Sequence, residues 1–170
     1  MLFTTHTIVG AAIGVATKNP ALGFAAGYAT HHIMDSIPHF DQGSYRAVKS
    51  GPNYLNTKLD NVPKFSYIKR DWIMLLTDFA LGGTLFLTLL ALLPTDLWVY
   101  IITGALGCLM PDIIDSSPFW SRKLRAKYKL IANYHKFHIF FHWTVKKNEV
   151  FLGATTQISL IILSLAYLLK

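Results

Sequence analysis

Thr30-His31-His32-Ile33-Met34-Asp35-Ser36-Ile37-Pro38-His39-Phe40-Asp41 closes an apolar, glycine-punctuated run that begins at Leu22. The reading of this run decides the fold. It has no alternation of period two, and its length and glycine spacing predict a helix that ends near Ser36. Pro38 biases Ile37 out of the helical region, which puts His39 and Asp41 just past the helix end. Positions four apart share a helix face, so His31 and Asp35 can address one ion. A neutral imidazole and a carboxylate one turn apart suit zinc, manganese or iron. The plainer explanation is a helix C-terminus decorated with polar residues, where the dipole favours histidine. Three of the seven histidines and two of the nine acidic residues fall in these twelve positions.

Working outward, the preceding segment, about Thr5 to Thr17, is also apolar and is joined to a second helix, Pro20 to Ser36, by the turn signal Asn19-Pro20. Gly10 with Gly14, and Gly23 with Gly27, give each helix a small-residue seam that allows close approach. The pair reads as a helical hairpin. Both helices are short for a bilayer, which needs ~20 residues per span. Residues 42–66 are polar and rich in Gly, Pro, Asn and Lys, the composition of a lid, a binding loop or a linker. Trp72 to Leu93 holds one charge, Asp78, and reads as transmembrane. A fourth helix is expected from about Leu97 to Met110. Val150 to Leu169, without a charge, is the cleanest spanning candidate.

Residues 119–145 carry a helical stripe in which Leu124, Tyr128, Ile131, His135, His138 and His142 are spaced by fours and threes. Arg122, Lys123, Arg125, Lys127 and Lys129 take most of the remaining surface. This is the pattern of a basic amphipathic helix at a membrane interface, with its histidines turned toward the protein. The fold class expected is therefore all-α: one domain, residues 1–170, with about five hydrophobic helices and one basic interfacial helix.

Composition agrees. Hydrophobic residues make up 52% of the chain and charged residues only 15%, with a mean hydropathy of +0.37. A net charge of +7 and a pI near 9.5 point to an anionic partner: lipid headgroups, a phosphate-bearing substrate or nucleic acid. Cys108 stands alone in an apolar run, so it reads as a small buried hydrophobe and no internal disulfide framework exists. No Lys or Arg precedes the first apolar stretch, which argues against a cleaved signal peptide. If all five apolar segments enter the membrane, 14 of the 16 Lys and Arg residues share one side, and only Lys18 and Lys170 lie opposite. The positive-inside rule then places the basic face in the cytoplasm and the protein in the inner cell membrane.

The same arrangement gathers the polar residues on that face. His6 opens the first helix, and His31 and Asp35 close the second. Asp78 lies ~10 Å inside the third at 1.5 Å per residue. A carboxylate so placed needs a metal, a salt bridge or a hydrogen-bonded proton, and an ion shared with His31 and Asp35 is the sharpest of these readings. Asp112 and Asp115 follow Pro111, three residues apart. They suit metal ligands or a base beside a metal, or, more plainly, a helix cap before Ser116-Ser117-Pro118. From the stripe, His138 is the first choice as ligand and His135 the second, with His142 read as a supporting or interfacial residue. His32 points roughly 100° away from His31, so the two do not share an ion. His39 is a ligand, a general acid or a loop residue; Asp41 or Asp115 could act as the base.

Thr5-His6, His31-x-x-x-Asp35 followed by Ile37-Pro38-His39 and Asp41, then Pro111-Asp112 and a terminal histidine cluster together resemble the membrane-bound metal-dependent hydrolase family. That family is itself similar, at a distance, to zinc-dependent phospholipase C and to the single-strand nucleases of the same helical fold. The resemblance covers most of the chain and is strongest over residues 5–41. It implies metal-site roles for His6, His31, Asp35, Asp112 and His138, with zinc the first choice of cation. Tyr134-His135-Lys136-Phe137-His138 stands where the family has a His-Arg-…-Thr-His-Ser pattern, so the late ligands rest on the residues alone. The function expected is an integral membrane phosphoester hydrolase. The alternative is a non-enzymatic membrane protein that binds a metal or haem through the same cluster.

Overall fold

A computed structural model of the protein describes residues 1–41 and 69–170. The polar segment 42–66 therefore lies outside the described residues. The described chain is helical throughout: α1 (Phe3–Thr17), α2 (Pro20–Asp35), α3 (Lys69–Leu92), α4 (Trp98–Asp115), α5 (Ser121–Lys127), α6 (Lys129–Phe141) and α7 (Val150–Leu168). Short 3₁₀ turns, Thr95–Leu97 and Lys147–Glu149, lead into α4 and α7.

The hairpin forms as its residues dictate. Lys18 takes a left-handed backbone at the end of α1, Asn19 accepts a hydrogen bond from the Leu22 amide, and Pro20 opens α2 where its missing N–H costs nothing. The glycine seams do bring helices close, but they also admit α4 between the arms of the hairpin. A Cβ on Gly104 would collide with backbone atoms of Gly10 and Gly14, and one on Gly107 would collide with the Phe24 carbonyl. The three helices thus touch backbone to backbone, so α1 is buried almost all round while α3 and α7 pack on its other sides. Ile8, Ala11, Leu89, Ile101 and Leu168 form the apolar core between them.

Three helical stretches are long and apolar enough to cross a membrane: Lys69–Leu92, Thr95–Asp115 and Lys147–Leu168, with mean hydropathies of 1.9, 1.7 and 1.7. Their outer faces carry exposed large apolar side chains, such as Leu87, Leu163 and Phe151, the last 86% exposed. In water such faces would be an aggregation surface.

Two expected boundaries differ. The fourth helix runs on through Pro111 to Asp115, since proline removes one intrahelical hydrogen bond without stopping this helix. The basic helix over 119–145 is two helices, broken where Tyr128 adopts an extended backbone, and the second ends at Phe141. A hydrophobic stripe keeps its phase across a one-residue interruption when both pieces face the same core, so periodicity could not reveal the break.

Helix α1 has no local N-cap side chain. Its first amides are satisfied from other helices instead. Asp78 of α3 accepts hydrogen bonds from Phe3 N at 2.7 Å, Thr4 N at 3.0 Å and Thr4 Oγ1 at 2.7 Å. Gln157 of α7 accepts from Leu2 N at 3.0 Å and donates to the Phe40 carbonyl at 2.9 Å. A helix N-terminus carries orphan donors and partial positive charge, and it can therefore compensate a buried carboxylate without an ion. The expectation that Asp78 shares an ion with His31 and Asp35 is corrected accordingly: its carboxylate is spent on α1. Asp78→Leu is expected to lower stability by about 3 kcal/mol, the scale of a lost charged cap with buried amides left bare. Metal content should stay unchanged. Thermal unfolding in detergent beside metal analysis checks this; loss of metal at unchanged stability would return Asp78 to the ligand set.

Candidate metal centre

The ends of α1, α2, α4 and α6 meet around Asp35, which is fully buried. Five of the seven histidines turn Nε2 toward its carboxylate. His6 lies 3.3 Å and His39 3.9 Å from Oδ1, while His142 at 3.1 Å, His31 at 3.2 Å and His138 at 3.5 Å approach Oδ2. Asp112 offers a second carboxylate, 3.8 Å from His6, 3.9 Å from His31 and 3.7 Å from His138. The α-amino group of Met1 is 2.7 Å from Asp35 Oδ1.

These separations fit ligands around a cation. With metal–N and metal–O bonds of 2.0–2.1 Å, two ligand atoms of a tetrahedral ion stand about 3.3 Å apart. Four of the five imidazole contacts to Asp35, from 3.1 to 3.5 Å, fall near that edge length, the two shortest also being within hydrogen-bond range. His6 Nε2, His39 Nε2 and Asp35 Oδ2 are buried without a hydrogen-bond partner among the described residues. Buried polar atoms left bare are costly, and these three aim inward at the same place. Groups of His, Asp and Cys with ligand atoms within 4.8 Å of one another recur here, among them Asp35-His138-His142 and His39-Asp41-His142. The residues present could hold a metal ion.

The far side of four of these five rings is anchored by oxygen. His31 Nδ1 lies 2.7 Å from the Cys108 carbonyl, His138 Nδ1 2.9 Å from Asp115 Oδ2, and His39 Nδ1 2.9 Å from the Ile37 carbonyl. His142 Nδ1 is 3.3 Å from Thr144 Oγ1. An oxygen at Nδ1 is the usual support of a metal-bound histidine, and the Nε2 atoms of His31 and His138 meet at 3.0 Å. Burial alone would lower His138, but the hydrogen bond to Asp115 and the negative charges of Asp112 and Asp35 outweigh it and push the imidazole up to about 10. A cation arriving there displaces a proton. Burial also works against the Asp41 carboxylate, yet neighbouring His39 and His142 hold it below the usual range.

His6, His31, Asp35, Asp112 and His138, all expected as ligands, do come together. His39 and Asp41, expected in catalytic roles, stand beside them, with His39 Nε2 3.5 Å from Asp41 Oδ2. His135 does not reach the centre. Its Nδ1 lies 2.7 Å from Asp115 Oδ2, and Arg125 holds the other oxygen of that carboxylate at 2.9 Å. Asp115, expected as a base, thus sits one layer out and orients His138. The place expected for His135 is taken by His142, which sequence reasoning set aside. The stripe did contain His142, but not the fact that α6 ends at Phe141 and leaves His142 extended, aimed back at Asp35. His32, expected not to share an ion with His31, is buried among Tyr28, Tyr134, Phe137 and Phe141, yet it too offers a ring nitrogen within 4.8 Å of ligand atoms of His31 and His138.

Cys108 is fully buried in the apolar interior, with its Sγ 3.6 Å from His6 Nδ1. No family model, curated protein or solved structure matches the chain.

Proposed function

We propose that the chain is an integral membrane, metal-dependent hydrolase of phosphate-bearing substrates, in keeping with the hydrolase family its motifs resemble. The observation that carries this reading is the convergence of five buried imidazoles on Asp35, three of which also approach Asp112. In it, His6, His31, His138, Asp35 and Asp112 hold a divalent cation, zinc first by donor type and manganese or iron next. Such a cation supplies a water made acidic enough to attack at neutral pH and offsets charge on the phosphoryl oxygens. Asp115 and the Cys108 carbonyl keep His138 and His31 in their ligating tautomers. Asp41, beside His39 and His142, would be the base for the attacking water.

The membrane part of the proposal rests on the outward apolar faces of α3, α4 and α7, with the shorter α1 and α2 entering among them. Helices α5 and α6 lie at the interface: Arg122, Lys123, Lys127 and Lys129 are exposed beside Leu130 and Phe140. That basic rim draws anionic headgroups or a phosphate-bearing substrate toward the site. With the site end in the cytoplasm, cysteines placed by Lys127→Cys and Thr95→Cys should label from opposite sides of the membrane. Equal labelling of both in intact cells would defeat this topology.

The activity is tested with detergent-purified protein and a generic phosphodiester such as bis-p-nitrophenyl phosphate. Turnover should vanish on chelation and return with the metal, and His6→Ala should lower metal content while helicity is retained. Metal bound without chelator-sensitive turnover on any phosphoester would leave a binding protein instead.

A further inference from the structure

Cys108 carries a polar atom that the proposed chemistry leaves unused. It is the single cysteine of the chain, it is fully buried, and it stands where α1, α2 and α4 come close. A Cβ on Gly10 would lie 2.7 Å from Cys108 Cβ, and one on Gly27 would lie 3.0 Å from Cys108 N. Position 108 therefore has little room for a side chain. Alanine would meet that limit as well as cysteine does, so burial alone gives no reason for a sulfur.

Two atoms of Cys108 face two stacked rings. Its carbonyl oxygen lies 2.7 Å from His31 Nδ1, and its Sγ lies 3.6 Å from His6 Nδ1. The two imidazoles stack with centroids 4.0 Å apart and planes inclined by 17°. Their Nε2 atoms approach Asp35 at 3.2 Å from His31 and 3.3 Å from His6, with Asp112 at 3.9 and 3.8 Å. One residue of α4 thus backs both rings at Nδ1 while both carboxylates face Nε2. Among the described residues, Sγ is the partner of His6 Nδ1, whereas His6 Nε2 is buried with none.

We propose that Cys108 is a positioning residue for the cation, its thiol sulfur accepting a hydrogen bond from His6 Nδ1–H when His6 Nε2 ligates. This role depends on His6 being a ligand, as proposed above.

A neutral imidazole carries one proton, so a ring that gives Nε2 to a cation holds that proton on Nδ1. A buried N–H then needs an acceptor. A thiol is a weak donor and a weak acceptor, so it can serve either tautomer. In the empty centre the ring proton belongs on Nε2, facing the Asp35 carboxylate, and the S–H donates to Nδ1. When a cation takes Nε2, the ring proton passes to Nδ1, the S–H turns away and sulfur becomes the acceptor. The thiol keeps its own proton throughout. A backbone carbonyl, such as the one behind His31, can only accept and so supports one tautomer. The ligand atoms of His6, His31 and Cys108 do lie within 4.8 Å of one another. The sulfur is nevertheless set against Nδ1, on the side of the His6 ring away from Asp35 and Asp112, which makes it a support and not a ligand of the same ion.

The test uses the full chain purified in detergent, with and without zinc(II). The S–H stretch falls in a part of the infrared spectrum clear of other protein bands, and with one cysteine in the chain it reports Cys108 alone. Zinc should move this band to higher frequency, as the S–H stops donating, without removing it. A band lost on zinc binding would make Cys108 a thiolate ligand, and a band that stays in place would show a sulfur indifferent to His6. Either result overturns the proposal. Cys108→Ala should weaken zinc about tenfold, the low end for loss of a supporting contact, with helicity retained. Cys108→Ser should restore most of that affinity, because its hydroxyl can donate to the carbonyl one turn back while accepting from Nδ1–H. Equal affinity in the alanine variant and the unaltered chain also overturns the role. Should the alanine variant not fold, the infrared band of the unaltered chain decides by itself. Absence of bound zinc from the unaltered chain would overturn the metal reading and this role with it, a result distinct from the others.

Discussion

Asp35→Asn is expected to empty the centre, with metal affinity reduced by more than ~100-fold, beyond the range for loss of a supporting contact. The reason is geometric. Asp35 is the one carboxylate that all five inward imidazoles approach, between 3.1 and 3.9 Å. The amide keeps the shape and one acceptor oxygen but removes the charge that balances a cation. It also places an NH₂ group beside the Nε2 atoms of His6 and His39, which have no hydrogen-bond partner among the described residues. Those nitrogens can then take hydrogen bonds from the amide, so the fold should survive. Equilibrium metal titration with helicity recorded alongside checks this. Metal retained at wild-type affinity would mean that the cluster is a polar core, satisfied by protons and the Met1 amine rather than by an ion.

Gly104→Leu is expected to destabilise the bundle by about 3 kcal/mol or more, at or above the usual cost of overpacking. Flexible side chains can move aside for an added methylene, but here the neighbours are backbone atoms of Gly10 and Gly14. Relief requires α1 and α4 to separate, and that separation also opens the contact between α4 and α2. His31 Nδ1 would then lose the Cys108 carbonyl, so metal binding should fall with stability in this variant. Gly83→Leu is the control, because a Cβ there meets nothing within 4 Å. Thermal unfolding of both variants in the same detergent separates the cases; equal stability would show that the seam is not what holds the helices together.

Much of the centre was legible in the sequence because its core is local. His31 and Asp35 share a face by helix geometry alone, and Pro38 fixes where the chain leaves that face. The turn at Asn19-Pro20 returns α2 beside α1, which brings His6 to the same end. Glycine spacing announced close helix contact, though not that α4 would fill the seam. Helical class, the three long apolar stretches and the inward-facing histidine stripe likewise follow from periodicity and composition, which act over a few turns.

What the tertiary structure decided lies where partners are remote. Asp78 was suspected of binding metal because no Lys or Arg shares its apolar surroundings. Its true compensation is the bare amide end of α1, a positive site with no signature in side-chain types. The exchange of His142 for His135 has a similar origin. Both lie on one stripe, so spacing could not rank them. The helix end at Phe141 and the bridge between residues 39 and 144 swing His142 to Asp35, while Asp115 and Arg125 hold His135 outside. Sequence alone determined which residues could ligate, because that is chemistry and local geometry. Only the packed fold decided which of them meet, because hydrogen bonds and backbone contacts between segments about a hundred residues apart set each side chain's direction.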